Sequence, residues 1–133
     1  MSGDPGLQRW LDHMAGDRDT ERLEAMLAEN AVFHSPVVHT PQRGRALCFA
    51  YLHVADRVFA GSGFEYVRTI VEGDDALLEF TAEIDGIHIN DVDIIRWNAD
   101  GLIADFKVMV RPLKAINLLW EKMAAALKTR TPQ

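Results

Sequence analysis

Four segments in the second half of the chain alternate apolar and polar residues. They read FEYVRTIVE, ALLEFTAEI, IHINDVDIIRW and LIADFKVMV, over residues 64–72, 76–84, 87–97 and 102–110. Alternation with a period of two is typical of strands that bury one face. The sequences that connect them, GDD, DG and NADG, are typical of tight hairpin turns. The pattern therefore predicts an antiparallel meander of four strands.

Helical periodicity occupies the rest of the chain. It predicts helices over about residues 6–15, 20–28, 45–59 and 113–128. The predicted buried face of the first helix carries Leu7, Leu11 and Met14 with Trp10 beside them, and that of the last carries Leu113, Ile116, Trp120, Met123 and Leu127. A further strand, within NAVFHSP, should end near Pro36, because proline lacks the N–H that a central strand donates.

This order of elements is typical of an α+β fold. We expect a single domain over residues 1–133, in which helices pack on the concave face of a curved antiparallel sheet. Such an arrangement is cone-shaped and encloses a pocket at its wide end. The inward faces of the strands would line that pocket with apolar side chains, as is usual for small-molecule sites.

One predicted strand carries two carboxylates on its apolar face. The odd positions of Ile87–Trp97 are apolar except for Asp91 and Asp93. A buried carboxylate is costly unless it is paired, hydrogen-bonded or protonated. We expect both groups to line the pocket, where neighbouring carboxyls can share a proton and act as acid and base. Two alternatives stay open, a structural hydrogen-bonded Asp93 and a solvated Asp91 at the rim.

Charge and composition disfavour several classes of partner. The chain has 133 residues and a net charge of −6, and its lysines and arginines are scattered, whereas nucleic-acid binding needs a basic stripe. No positive segment followed by an apolar run opens the sequence, and no apolar stretch approaches the roughly 20 residues of a membrane span. We therefore expect a cytoplasmic protein that binds neither nucleic acid nor membrane.

Cysteine and histidine give no metal-binding pattern. Cys48 is the only cysteine, so it is expected to be a small buried hydrophobe. The histidines lack metal-binding spacing, and we predict no metal and no cofactor. His34 has the opposite strand phase to Ser35 and should point away from the pocket, unless Pro36 introduces a bulge. It is retained as a candidate catalytic base.

The order of elements, with LAENAVFHSP, RGRAL and VDIIRWNADGLI, resembles the nuclear transport factor 2-like superfamily. The chain is most similar to its ketosteroid isomerase and SnoaL-like branch, over about residues 7–110. The resemblance implies a cystatin-like roll and a homodimer formed through the outer face of the sheet, where Val92 and Ile94 lie. Members include isomerases, cyclases, epoxide hydrolases, dehydratases and proteins of unknown reaction, so the fold alone does not assign an activity.

The residues of ketosteroid isomerase are retained only in part. Its general-base Asp precedes a proline, and AVFHSP places Ser35 there instead. Its oxyanion-binding acid corresponds to Asp93, which is present. Its first-helix Tyr has no counterpart, although Arg9 or Trp10 falls near that place. The final-strand carboxylate of the epoxide hydrolases corresponds to Val108, which disfavours their chemistry.

Two functions follow as expectations. One is a cofactor-free isomerase, cyclase or dehydratase that transfers a proton on a small apolar carbonyl compound. In it, Asp93 would stabilise the oxyanion and Asp91 or His34 would be the base. The other is a non-catalytic ligand-binding or oligomerisation module, and the sequence leaves open whether the protein is an enzyme. The predicted ligand-binding wall consists of Ser35, Trp10, Phe33, Phe80, Ile89, Phe106 and Val108.

Overall fold

The computed structural model describes residues 4–130, with side chains from residue 5 to residue 126. Its elements are α1 Asp4–Ala15, α2 Thr20–Ala25, β1 Leu27–His34, β2 Gln42–Arg43, α3 Arg45–Val58, β3 Glu65–Glu72, β4 Asp75–Ile84, β5 Ile87–Trp97, β6 Ile103–Arg111 and α4 Leu113–Arg130. The predicted α+β fold, a curved and unclosed sheet covered by helices, is confirmed. Among the described residues, no helix is both long enough and apolar enough to cross a membrane.

The six strands form one sheet in the order β2-β1-β6-β5-β4-β3. Strands β3 to β6 form the predicted antiparallel meander, and β5 is central, paired with β4 on one side and β6 on the other. The pairing of β1 with β6 is parallel, so the sheet is not antiparallel throughout. The alternation along β1 predicts a strand, but it carries no information about the direction of its neighbour.

The hairpins end where the sequence predicts them. Asp85 and Gly86, between β4 and β5, both have positive φ angles, 53° and 78°. Two such residues make the type I′ turn whose twist matches a two-residue hairpin. This turn fixes the register of β5, so that its odd positions face the helices.

The core lies between the concave face of the sheet and the helices. One buried cluster surrounds Trp10, Phe33, Trp97 and Phe106, and a second surrounds Phe59 and Phe80. Cys48 is fully buried in the first cluster, as predicted, and burial raises the pKa of its thiol to about 12. The thiol is therefore a packing group at neutral pH.

The predicted buried faces of α1 and α4 were only partly right: Trp10, expected beside the α1 face, is buried, and Leu7 and Met14 pack at the edge of the core. In α1 the buried residues are Gly6, Trp10 and His13, and the predicted Leu7, Leu11 and Met14 are only half-buried. Apolar residues at helical spacing outline two adjacent stripes on this helix, and the stripe with the large indole lies inward.

In α4 the buried residues are Ala115, Leu118 and Leu119, which pack in the second cluster. Leu113 and Trp120, from the predicted stripe, are 72% and 56% exposed. The side chain of Leu127 lies outside the described residues. The predicted α2 was also too long, because Leu27 and Ala28 belong to β1.

Candidate functional site

A cavity of about 260 Å³ lies between the concave face of the sheet and helices α1, α3 and α4. Most of its wall is apolar or aromatic, from Met14, Phe33, Tyr51, Leu52, Phe59, Phe64, Phe80, Phe106 and Val108. The polar exceptions are Arg18, Ser35, Asp56, Asp91 and Asp93. An apolar cavity with a few convergent polar groups is the usual form of a small-molecule site, and this one is near the lower end of the ~300–1,000 Å³ range of such sites.

Asp91 and Asp93 are brought together in the cavity wall by the alternation of β5. They are 2% and 5% exposed, and both face the helices. Asp91 lies opposite Phe80 of β4 and Val110 of β6, and the neighbours of Asp93 on those strands are also apolar. The two carboxyl groups lie close enough to affect each other's protonation. Asp91 Oδ1 is buried and has no hydrogen-bond partner within the described residues.

This environment favours protonation of the pair. Burial, the nearby charge of Asp93 and the hydrogen bond with Asp93 raise the pKa of Asp91 well above its ordinary value. Burial also raises the pKa of Asp93, to about 7, and the charge of Asp56 contributes to that shift. Two carboxyls in apolar surroundings do not both ionise near neutral pH, so the pair holds a proton that it can donate.

Trp10 lines the cavity, but its polar atom already has a partner. Its indole N–H donates a hydrogen bond of 2.9 Å to the hydroxyl of Tyr66 on β3. The pKa of that hydroxyl is raised by burial and by the nearby charge of Asp93. Arg9, the other residue near the expected first-helix donor, donates instead to the backbone carbonyl of Gly101, on the exposed side of α1. Neither residue therefore directs an N–H donor into the cavity.

Ser35 lies at the cavity and His34 does not. The Ser35 Oγ accepts hydrogen bonds from the backbone N–H groups of Val37 and Val38, at 3.1 and 3.3 Å, and so holds the turn after β1. His34 has the opposite strand phase, and its Nε2 lies 2.8 Å from Asp105 Oδ1. The expected parity of this strand is confirmed, and it moves His34 away from Asp91 and Asp93.

The other predicted wall residues divide in the same way. Phe33, Phe80, Phe106 and Val108 line the cavity, whereas Ile89 is buried in the second core cluster and does not. The mouth is bordered by Val37, Val38 and, from α4, Trp120. These three apolar residues are 37%, 40% and 56% exposed, so the entrance itself is hydrophobic. That these wall residues bind a ligand remains a prediction.

Three cavity-side residues have no counterpart in the sequence prediction: His13, Arg18 and Asp56. His13 is completely buried, and its Nε2 lies 2.9 Å from Asp56 Oδ2. Arg18 Nη1 lies 3.9 Å from Asp56 Oδ1, and its guanidinium packs over the ring of Phe64. The only signal in the sequence was Asp56 itself, a charged residue among the apolar residues of α3. Within the described residues, no group of three or more His, Cys, Asp or Glu is placed to hold a metal ion.

Comparison with known proteins gives a consistent family. Residues 7–106 match the SnoaL-like domain. The structure is similar to a steroid delta-isomerase from Pseudomonas aeruginosa, with a TM-score of 0.90, 33% identity and coverage of 97% of this chain and 93% of that one. It is also similar to an uncharacterized cystatin-like protein from Silicibacter pomeroyi DSS-3, with a TM-score of 0.84, 34% identity and coverage of 94% and 86%.

The same fold also occurs in a designed protein. A de novo designed protein with a curved β-sheet has a TM-score of 0.70 at 14% identity, with coverage of 91% of this chain and 98% of that one. No curated protein matches the chain significantly. The family therefore rests on the domain match and on the relatives above 30% identity, and by these the chain belongs to the SnoaL-like family of the nuclear transport factor 2-like superfamily.

Proposed function

We propose that this protein binds a small, largely apolar carbonyl compound in its cavity and isomerises it by proton transfer, without a cofactor. The observation that carries the proposal is the Asp91–Asp93 pair. The surroundings of these two carboxyls raise their pKa values and favour a bound proton, and Asp91 Oδ1 has no partner among the described residues. An unpartnered buried oxygen favours a ligand that supplies the missing hydrogen bond.

The chemistry follows from the environment of the pair. A carboxylic acid kept neutral by apolar surroundings donates a hydrogen bond to a carbonyl oxygen and stabilises the negative charge that develops there. Removal of a proton from the carbon next to that carbonyl then gives an enolate held by the pair. Return of the proton to a different carbon completes an isomerisation. Cyclisation and dehydration of a carbonyl compound use the same stabilised intermediate.

Ketosteroids are the first substrate class to test. The Pseudomonas aeruginosa relative is a steroid delta-isomerase, and it aligns with nearly the whole chain. The aromatic wall and the hydrophobic entrance suit a rigid apolar ligand with one of its carbonyls at the two carboxyls.

A second candidate is a binding module without catalysis. It is favoured by Ser35, which stands where the related isomerases have their base and is engaged by two backbone N–H groups. A serine hydroxyl has little affinity for a proton, so it does not replace a carboxylate as a base. In this case Asp91 and Asp93 would only orient the ligand.

The test uses androstenedione with its double bond in the β,γ position, whose isomerisation produces a conjugated enone that absorbs in the ultraviolet. For an isomerase, Asp93→Asn should lower kcat by about 10²-fold, as for loss of one oxyanion donor, with KM changed much less. The exposed Asp100→Asn variant is the matched control. A binding module would show a ligand-induced rise in melting temperature but no turnover. A wild type that shows neither turnover nor a ligand-induced rise in melting temperature would contradict both functions and leave an oligomerisation module.

A further inference from the structure

A buried charged cluster joins α1 to α3 beside the cavity. His13 of α1 is fully buried, and Asp56 of α3 is 9% exposed. Their side chains meet at 2.9 Å, between His13 Nε2 and Asp56 Oδ2. Arg18, which follows α1, lies 3.9 Å from the other carboxylate oxygen, and its Nη1 also donates to the backbone carbonyl of Asp56 at 3.3 Å. Two polar side chains, those of His13 and Arg18, therefore flank the Asp56 carboxylate.

The hydrogen bond in this cluster has a defined direction. His13 Nδ1 is buried and has no partner within the described residues. A doubly protonated imidazole would leave a charged N–H unsatisfied there, which is costly. The neutral ring with its proton on Nε2 avoids that cost and donates to Asp56 Oδ2. Asp56 is then the charged partner. It accepts the hydrogen bond from His13 through Oδ2, and this bond does not use the lone pairs of Oδ1.

Asp56 Oδ1 is the atom that is available to a ligand. Asp56 lines the cavity with Arg18, Asp91 and Asp93. Its Oδ1 accepts no hydrogen bond within the part of the chain that the structure describes, and Arg18 is beyond hydrogen-bond distance. The charge of Asp56 is felt by Asp93, whose pKa it raises. The cavity thus holds an ionised carboxylate and, separately, a carboxyl pair that retains a proton.

We propose that Asp56 is the general base of the reaction, in place of the carboxylate missing at Ser35, and that His13 is its positioning residue. The assignment rests on the proposed function of the cavity. Asp56 Oδ1 takes the proton from the carbon next to the substrate carbonyl, and the electron pair of that C–H bond forms the enolate. The enolate oxygen accepts a hydrogen bond from the Asp91–Asp93 pair. The carboxylic acid formed at Asp56 then returns the proton to the distal carbon, which restores the starting enzyme.

This division of roles follows the general arrangement of acid–base sites. Two carboxyl sites whose surroundings favour opposite protonation states can act as base and acid together. Here the Nε2–H of His13 hydrogen-bonds the carboxylate of Asp56 and Arg18 lies beside it, whereas apolar neighbours favour the acid at Asp91 and Asp93. The bland alternative is that His13 and Asp56 only tie α1 to α3. The experiment therefore needs a readout that a structural tie would not move.

The test measures the turnover of β,γ-unsaturated androstenedione and the exchange of its acidic hydrogens with deuterium from D2O. Asp56→Asn should lower kcat and the exchange rate by about 10²–10⁴-fold, the usual contribution of a general base, with KM within a few-fold of wild type. His13→Gln should lower kcat less and shift the pH profile of kcat. Asp105→Asn is the matched control, because Asp105 also pairs with a histidine, at 2.8 Å from His34, but does not line the cavity.

Chemical rescue separates a base from a structural tie. Added formate should raise the exchange rate of Asp56→Ala at least about ten-fold, since a small carboxylate fits the vacated space. This variant also serves if Asp56→Asn does not fold. Turnover at the wild-type rate in either variant would overturn the assignment of Asp56 as the base. An Asp56→Ala variant that folds but is not rescued by formate would overturn it too. A wild type that binds the steroid but neither isomerises it nor exchanges its hydrogens overturns the proposed function and the base with it.

Discussion

At the scale of single residues, the chemistry depends on protonation of carboxyls in an apolar wall. The folded-state pKa of Asp93 is raised from 3.8 to about 7 by burial. Between these values the folded protein binds more protons than the unfolded chain, so this group makes the free energy of unfolding fall as pH rises from about 4 to about 7. Above that range the loss is complete and constant.

Asp93→Asn should therefore gain stability relative to wild type as the pH rises. An uncharged amide carries no such burial cost, and the relative gain between pH 4 and pH 8 should be on the order of 2–4 kcal/mol. Urea unfolding at both pH values measures it. The exposed Asp100→Asn variant, in the turn before β6, should show no comparable change. Parallel pH dependences for Asp93→Asn and wild type would mean that Asp93 is not buried with a raised pKa.

The sequence predicts one half of this polar site and not the other. Asp91 and Asp93 share a strand, and the period of two alone places them on the same inward face. His13 and Asp56 are 43 positions apart on different helices, and their meeting depends on how α1 packs against α3. Local patterns carry no information on that contact.

At the scale of elements, the position of α1 depends on a close approach to the sheet. Gly6 lies in the buried face of the helix, and a Cβ there would overlap the indole ring of Trp97 at the end of β5. Only a residue without a side chain allows α1 to lie this close. Through α1 this contact also determines where Trp10 and His13 reach the cavity.

Gly6→Ala should displace α1 and destabilise the protein. Overpacking of a filled core typically costs about 1–3 kcal/mol, against a gain of under ~1 kcal/mol in helix propensity from alanine. Thermal or urea unfolding measures the balance. Gln8→Ala, on the exposed face of the same helix, should change the free energy of unfolding by less than about 0.5 kcal/mol. A Gly6→Ala protein as stable as Gln8→Ala would contradict the close packing of α1 on Trp97.

Strands were predicted more accurately than helical faces, for a physical reason. A strand has only two faces, so alternation in β4 and β5 identifies the buried one directly. In α4, apolar residues cover two neighbouring stripes, and both satisfy helical spacing. Packing against the rest of the protein buries Ala115, Leu118 and Leu119 and leaves Trp120 at the cavity mouth. That choice is made by tertiary packing.

At the scale of the whole molecule, the outer face of the sheet carries a row of exposed and half-buried apolar side chains. Ile70, Leu77 and Ile94 are aligned across β3, β4 and β5, and Val92 pairs with Met109 of β6. Ile70 and Met109 are 53% and 54% exposed. A contiguous exposed apolar patch is typical of an interface, and a stable one buries about 800 Å² per partner. We propose that a second copy of this chain covers it.

Charges placed in this outer-face patch should therefore separate the two copies. In the Ile94→Glu, Met109→Glu double variant, desolvation of two carboxylates should weaken the dimer by at least about 10²-fold, because each buried unpaired charge costs several kcal/mol. Sedimentation equilibrium should give a dimer for wild type and a monomer for the variant at micromolar concentration. Leu47→Glu introduces a charge at an equally exposed apolar residue, 45% exposed on α3, and should leave the dimer intact. Neither substituted side chain lines the main cavity, so a monomeric variant that still binds the ligand would show that the cavity is complete within one chain. A wild-type monomer, or a double variant that remains dimeric, would contradict pairing through this face.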